Sequence, residues 1–339
     1  MNIIQAKALS KVFAGDIKAV DTIDFEVGEG EIFGFLGPNG AGKTTTIKIL
    51  NTLLKPTSGT AIVAGFDVVK SPADVRKSIG YVAQDIGVDE HATGRENLTL
   101  YGHFYRLDNK TIMQRVKEIF ELVDLIGYED KMVSSYSGGM RKRLDIAMGL
   151  IHQPKIIFLD EPTVGLDPQT RVHIWDYIRK LAKSMNVTIF LTTHYMEEAD
   201  QLADRVAIID LGKIITSGTP DELKRSIGGD VVTLSPCTIK TEECQEFLRR
   251  TKSALSNKPF IVGMQEADTT LAVYVQNGES AAPNIMRILN SEGIEVQTLS
   301  VSRPSLNDVF LKYTGRNIRP QEGAPTTYTQ VARRRSRRQ

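Results

Sequence analysis

Cysteine is nearly absent from this chain of 339 residues, with only Cys237 and Cys244 present. They lie seven apart, form no Cys-x-x-Cys pair, and so exclude both a disulfide scaffold and a cysteine zinc framework. Long apolar runs are missing too. Runs such as Ile156-Ile157-Phe158-Leu159 fall far short of the roughly 20 residues that cross a bilayer. The first residues, MNIIQAKALSKVF, hold no continuous apolar segment of the secretory kind, so the expectation is a cytoplasmic chain. Neither charge dominates, since 42 Lys and Arg balance 41 Asp and Glu to a net of +1. Hydrophobic residues at 41% and charged residues at 24% are ordinary for globular proteins and exclude a collagen or a largely disordered chain. Internal repeats are also lacking. What remains is a chain long enough for about two domains, each with its own core.

The near-zero net charge hides an asymmetry. Residues 316–339 contain seven arginines against one acid, Glu322, a net of +6, so the preceding 315 residues carry −5. The end RRRSRRQ, approached through Pro, Gly and Thr, reads as a disordered basic tail. An acidic body argues against a dedicated nucleic-acid partner.

Up to about residue 225, short apolar runs (Ile32–Leu36, Ile156–Leu159, Val187–Leu191) alternate with helical patterns. Such alternation predicts an α/β fold around a parallel sheet. Residues 96–127 and 139–152 have helical spacing and no strand candidate, which predicts a helical insertion at about 87–150. After Gly228-Gly229, strand-like runs at 230–234, 261–264, 271–275 and 295–301 interleave with helical stretches near 241–255 and 280–292. They predict a small α+β unit ending around Thr314.

Gly37-Pro38-Asn39-Gly40-Ala41-Gly42-Lys43-Thr44 fits G-x-x-x-x-G-K-[ST], after the apolar run EIFGFL and before a helix expected over Thr44–Leu54. Glycines let successive backbone N–H groups turn inward around phosphates, and the helix N-terminus adds a favourable dipole. Lys43 supplies a point charge, and Thr44 a hydroxyl ligand for Mg²⁺. Thr45 continues the same turn. A nucleoside triphosphate is the expected substrate. The acids Asp160 and Glu161 end the run Ile156–Leu159, 117 residues after Lys43, where parallel sheets bind ligands. Because successive strand residues point opposite ways, different roles are expected. Asp160 is assigned to the Mg²⁺ shell and Glu161 to the general base that activates water. No Asn-Lys-x-Asp guanine motif exists: Ile112 and Phe260 stand where its Asp would be.

Tyr136-Ser137-Gly138-Gly139-Met140 lies 23 residues before Asp160, counted from Ser137, and there the sequence resembles the signature of ABC transporter ATPases. Ser137 has the character of a helix N-cap, with Gly138 and Gly139 leaving N–H groups open as a second anion site. The resemblance implies a homodimer in which each signature caps the ATP held by its partner. Further landmarks follow in order. Gln84 matches the Q-loop glutamine, a contact for Mg²⁺ and water. Asp167 in Gly165-Leu166-Asp167-Pro168 matches the loop that links the two sites, and His194 the switch histidine at the γ-phosphate. Phe13 is placed like the aromatic that stacks on adenine, with Val20 beside it. Tyr136 and Met140 replace the common Leu and Gln, a departure similar to the daunorubicin-resistance-type ATPases of ABC-2 exporters. Thr93-Gly94-Arg95-Glu96-Asn97-Leu98 and Pro304–Leu311 resemble the same group. The resemblance implies a P-loop NTPase core at 1–227, an accessory α+β domain at 228–315 and the basic tail at 316–339. It further implies an ATPase bound to a separate ABC-2 permease at the cytoplasmic face of the membrane. A soluble ABC ATPase acting on nucleic acid or ribosomes is the alternative, without the coiled-coil insertion or second cassette that such proteins carry.

Overall fold

The structure, a computed structural model, describes residues 2–236, 241–256, 258–267 and 269–314. Cys237, Asn257, Gly315 and the basic tail lie outside the described residues. The chain opens with β1 (Asn2–Phe13), β2 (Ile17–Gly28), β3 (Ile32–Leu36), α1 (Lys43–Leu50), β4 (Ser58–Val63), β5 (Phe66–Asp67), α2 (Pro72–Ser78) and β6 (Ile79–Val82). Helices α3 (Gly94–Phe104), α4 (Asn109–Leu122) and α5 (Gly138–Met148) precede β7 (Ile156–Asp160), α6 (Pro168–Met185) and β8 (Thr188–Thr193). Then come α7 (Met196–Leu202), β9 (Arg205–Asp210), β10 (Lys213–Gly218) and α8 (Pro220–Arg225). The last part comprises β11 (Asp230–Ser235), α9 (Thr241–Leu255), β12 (Ile261–Ala267), β13 (Thr270–Val275), α10 (Gly278–Ser291), β14 (Thr298–Ser302) and α11 (Leu306–Thr314).

The central sheet has the order β10-β9-β3-β8-β7-β6, parallel except for β10. Strands β3, β7 and β8 are buried at every residue, as strands covered on both faces must be. Uniform α/β alternation from the start does not hold, however. The first strands build a separate antiparallel sheet, β2-β1-β4-β5, in which β1 pairs with both β2 and β4 through several register shifts. Phe25 of β2 joins the two sheets, meeting Phe33, Phe35 and Phe190 at centroid distances of 5.6–6.0 Å. Helix α1 also stops earlier than expected, at Leu50, because Asn51 closes it and Thr52 turns left-handed at φ 64°.

Between the adjacent strands β6 and β7 the chain leaves the sheet to form α3, α4 and α5. Helix α3 starts in a capping box, with Thr93 and Glu96 satisfying each other's backbone amides. Leu98, Ile112, Val116, Phe120 and Leu144 then bury the insertion's own apolar faces. Residues 230–314 form a third sheet, β12-β13-β11-β14, packed against α9 and α10. Helix α11 returns to α7 and α8, where Val309, Phe310 and Leu311 share one core with Leu36, Ala199, Val206 and Ile227.

Candidate active site

The phosphate loop runs from the end of β3 into α1. Gly42 sits at φ 107°, and a Cβ there would lie 2.3 Å from the Ala19 carbonyl oxygen, so only glycine fits. A cavity of about 460 Å³ lies elsewhere, beside Ser137; the phosphate loop lines a smaller cleft of about 220 Å³. Asn39, Gly40, Gly42, Lys43, Thr44 and Thr45 form one wall of that cleft, with Gln84, Glu161 and Ala19 completing it. Gly37 and Pro38 turn their carbonyl oxygens to the Lys43 ammonium, at 2.8 and 3.1 Å. Ala41 is buried beneath the loop.

Asp160 and Glu161 both face the loop, contrary to the alternation expected of a strand. The strand ends at Asp160, and Glu161 adopts a left-handed backbone at φ 49° that redirects its side chain. Its amide donates to the Thr192 backbone carbonyl and hydroxyl, both at 3.1 Å, which holds the turn in place. Asp160 accepts from Thr192 Oγ1 at 2.6 Å and from Thr44 Oγ1 at 3.3 Å. Burial pushes the Asp160 carboxyl up, Thr192 pulls it back, and Glu161 pushes it up again. Glu161 meets Lys43 Nζ at 3.1 Å, and both side chains are buried. His194 Nδ1 lies 3.2 Å from the same carboxylate oxygen, within ion-pair distance though poorly aligned for a hydrogen bond. Burial pushes the Glu161 carboxyl up, but His194 and Lys43 more than offset this and hold it below the usual carboxylate range.

Two hard oxygens, from Thr44 and Asp160, thus stand 3.3 Å apart at a helix N-terminus beside the phosphate cleft. That donor set fits Mg²⁺, which takes one or two protein oxygens and the rest from phosphates and water.

Other sequence-predicted residues stand apart. Phe13 ends β1 and is 43% exposed, with Lys11 Nζ 5.3 Å from its ring centre. Val20 is fully buried in the core and offers no surface to a ligand; its neighbour Ala19 lines the cleft instead. The expectation for Val20 is therefore corrected: β2 turns alternate side chains to opposite faces, and Val20 takes the inner one. Ser137 caps α5 by accepting the Met140 amide at 3.3 Å, and Gly138 and Gly139 follow it. Asp167 caps α6 through Thr170. None of these four lines the phosphate cleft.

Sequence reasoning passed over Thr192, which ties the two acids to β8, although its place two residues before His194 was a usable signal. It also passed over Arg171, which donates to the Leu166 carbonyl at 3.0 Å and lies over the Tyr195 ring.

A family model of ABC transporters matches residues 20–164, and one of the C-terminal domain of DrrA1-3-like ATP-binding proteins matches 218–314. The chain is 40% identical over 312 residues to the daunorubicin resistance ATP-binding protein DrrA2 of Streptomyces coeruleorubidus, covering 92% of this chain and 95% of that one. The chain belongs to the ABC transporter ATP-binding proteins. Among solved structures of this family, cbiO1 from Clostridium perfringens is 29% identical with a TM-score of 0.63, covering 67% of this chain and 93% of that one. The dimeric ATP-binding cassette MJ0796, bound to ADP and Pi, is 25% identical with a TM-score of 0.57, covering 64% of this chain and 98% of that one. As an ABC protein the chain is an ATPase with a P-loop NTPase core, an ATP-binding subunit of an exporter that works with a membrane component.

Proposed function

We propose that this ABC ATPase powers an ABC-2-type exporter of cytotoxic natural products, closing as a homodimer on Mg-ATP at the cytoplasmic face of the membrane beside a separate permease. One relationship carries the homodimer. The cleft holds Lys43, Thr44 and Glu161, with Asp160 tied to it through the Thr44 hydroxyl, whereas Ser137, Gly138 and Gly139, a second helix-end anion site, lie outside it. A second copy, turned head to tail, brings the two together. The match of the whole C-terminal part to DrrA-like proteins supports the exporter class over a nucleic-acid or ribosome role. Residues 1–227 are assigned to the ATPase domain, with the helical subdomain at about 87–150, and 228–315 to the accessory domain.

Backbone amides of Gly40, Gly42, Lys43, Thr44 and Thr45 and the Lys43 ammonium hold the β- and γ-phosphates of ATP, and Phe13 with Ala19 flanks the adenine side. Thr44, Asp160 and Gln84 hold Mg²⁺, which when bound neutralises charge on the phosphate oxygens. Glu161 takes the proton of the water that attacks the γ-phosphorus, and His194 contacts the γ-phosphate and steadies the Glu161 carboxylate. Asp167 carries the state of one site to the other across the dimer. Positioning and charge stabilisation supply most of the barrier reduction. Release of phosphate removes the charge that Ser137, Gly138 and Gly139 cap, and the dimer opens.

The test is an efflux assay in cells expressing the chain with its candidate permease. Wild type should lower cellular daunorubicin, and Glu161→Gln should not. Equal accumulation in both, with the pair assembled, overturns the exporter reading.

A further inference from the structure

We infer that Lys142 and Asp145 of α5 act as a buried clamp that sets the position of the Q-loop, and with it Gln84, from the signature helix. Their side chains pair at 3.2 Å and are only 3% and 7% exposed. A buried ion pair is weak evidence of stabilisation, because desolvating two charges costs about what their attraction returns. A pair kept in such a place calls for another role, and the remaining polar contacts supply one. Lys142 Nζ donates to the Ala83 carbonyl at 3.3 Å, and Asp145 Oδ1 accepts the Gly87 amide at 3.1 Å. These two backbone groups bracket Gln84, Asp85 and Ile86, all exposed. Arg141 Nη1, one residue before Lys142, adds an outer tether to Glu90 at 2.5 Å.

The polarity matters. The loop presents an acceptor at Ala83 and a donor at Gly87, and α5 answers with a cation and an anion three residues apart on one face. Burial holds the Asp145 carboxyl above the usual carboxylate range, and Lys142 and the Gly87 amide offset that rise only in part. A shift of α5, whose first turn carries Ser137, Gly138 and Gly139, therefore moves both ends of the Q-loop together. Lys142 and Asp145 are positioning residues. They act through Gln84 and touch no substrate.

The clamp rests on the proposed role of Gln84 only for its kinetic consequence; its structural consequence is read separately. In the purified full chain, Lys142→Met/Asp145→Leu replaces the pair by apolar residues of similar volume, a change close to neutral for stability. Hydrogen exchange at residues 84–90 should speed by about tenfold as two tethers are lost, with thermal stability nearly unchanged. The kcat for ATP should fall by about fivefold or more, while the KM for Mg-ATP changes with it if Gln84 contacts the metal. The reversed pair Lys142→Asp/Asp145→Lys keeps an ion pair but faces a carboxylate to the Ala83 carbonyl and an ammonium to the Gly87 amide, so it should not restore slow exchange. Unchanged exchange in the apolar variant, or wild-type exchange in the reversed one, overturns the clamp. A wild-type chain without ATPase activity would instead count against the proposed function.

Discussion

Lys43 and Glu161, 118 residues apart in the chain, form a buried ion pair at 3.1 Å across the phosphate cleft. The contact exists because Glu161 leaves the strand in a left-handed turn while Lys43 folds back over the carbonyls of Gly37 and Pro38. Glu161 is thus held ionised beside the cation that would bind the γ-phosphate.

Removing either partner should have distinct effects. Glu161→Gln keeps the volume and loses the base, so ATP hydrolysis should fall by roughly 100- to 10,000-fold with nucleotide affinity retained. Lys43→Met strips the counter-charge from a buried carboxylate and should cost about 3 kcal/mol of stability besides abolishing ATP binding. Combining the two should recover most of that stability, which urea unfolding of all four proteins measures. Additive losses would mean that the pair is not coupled.

His152 gives the molecule an acid limit. Its ring stacks on Tyr105 at a centroid distance of 3.5 Å, Nε2 lies 2.9 Å from the Ile79 carbonyl oxygen, and Nδ1 is buried without a hydrogen bond. Burial lowers its pKa to about 4, only partly countered by the Ile79 carbonyl. The unfolded chain takes up a proton near 6.5 and the folded one resists until about 4. Stability from this group is therefore complete above about pH 6.5 and is lost as pH falls through that window, about 3 kcal/mol in all. In His152→Phe that slope should disappear. Denaturant unfolding at pH 7.5 and pH 5 checks it, and an equal pH dependence in both proteins would refute it.

Much of this was legible in the sequence because the chemistry is local. Gly42 and Lys43 need only a strand before them and a helix after, and Ser137 needs only the open amides that follow it. The buried runs of β3, β7 and β8 announce themselves by having no polar side. What escaped depends on geometry that spacing does not encode. The antiparallel sheet hides in the register shifts of β1, and Val20 against Ala19 is a question of which face of β2 looks inward. The left-handed turn at Glu161 follows from the hold of Thr192, on another strand. Nothing in the spacing of Lys142 and Asp145 shows that the fold buries both.

The C-terminal helix should be needed for the stability of the nucleotide-binding part. Phe310 is 1% exposed and lies in one core with Leu36, at the end of β3, and with Ala199 of α7. Phe310→Ala should cost about 3–5 kcal/mol. Ending the chain after Ile227 should lower the melting temperature of what remains, since it uncovers Ile208, Leu223 and Ile227. A truncated protein that melts where the full chain does would show that this shared core contributes nothing.

Dimerisation can be separated from nucleotide binding at Ser137. Its side chain caps α5 and does not line the chain's own cleft, so a change there should leave ATP binding to the single chain intact. Aspartate caps helices as well as serine does, so Ser137→Asp preserves α5. It also sets a negative charge where the partner's γ-phosphate is to be received, and repulsion replaces capping. In sizing experiments with Mg-ATP, Glu161→Gln should run as a dimer, while Glu161→Gln/Ser137→Asp should run as a monomer of equal nucleotide content. If the double variant still dimerises, the γ-phosphate of one copy does not meet Ser137 of the other, and the signature has some other task.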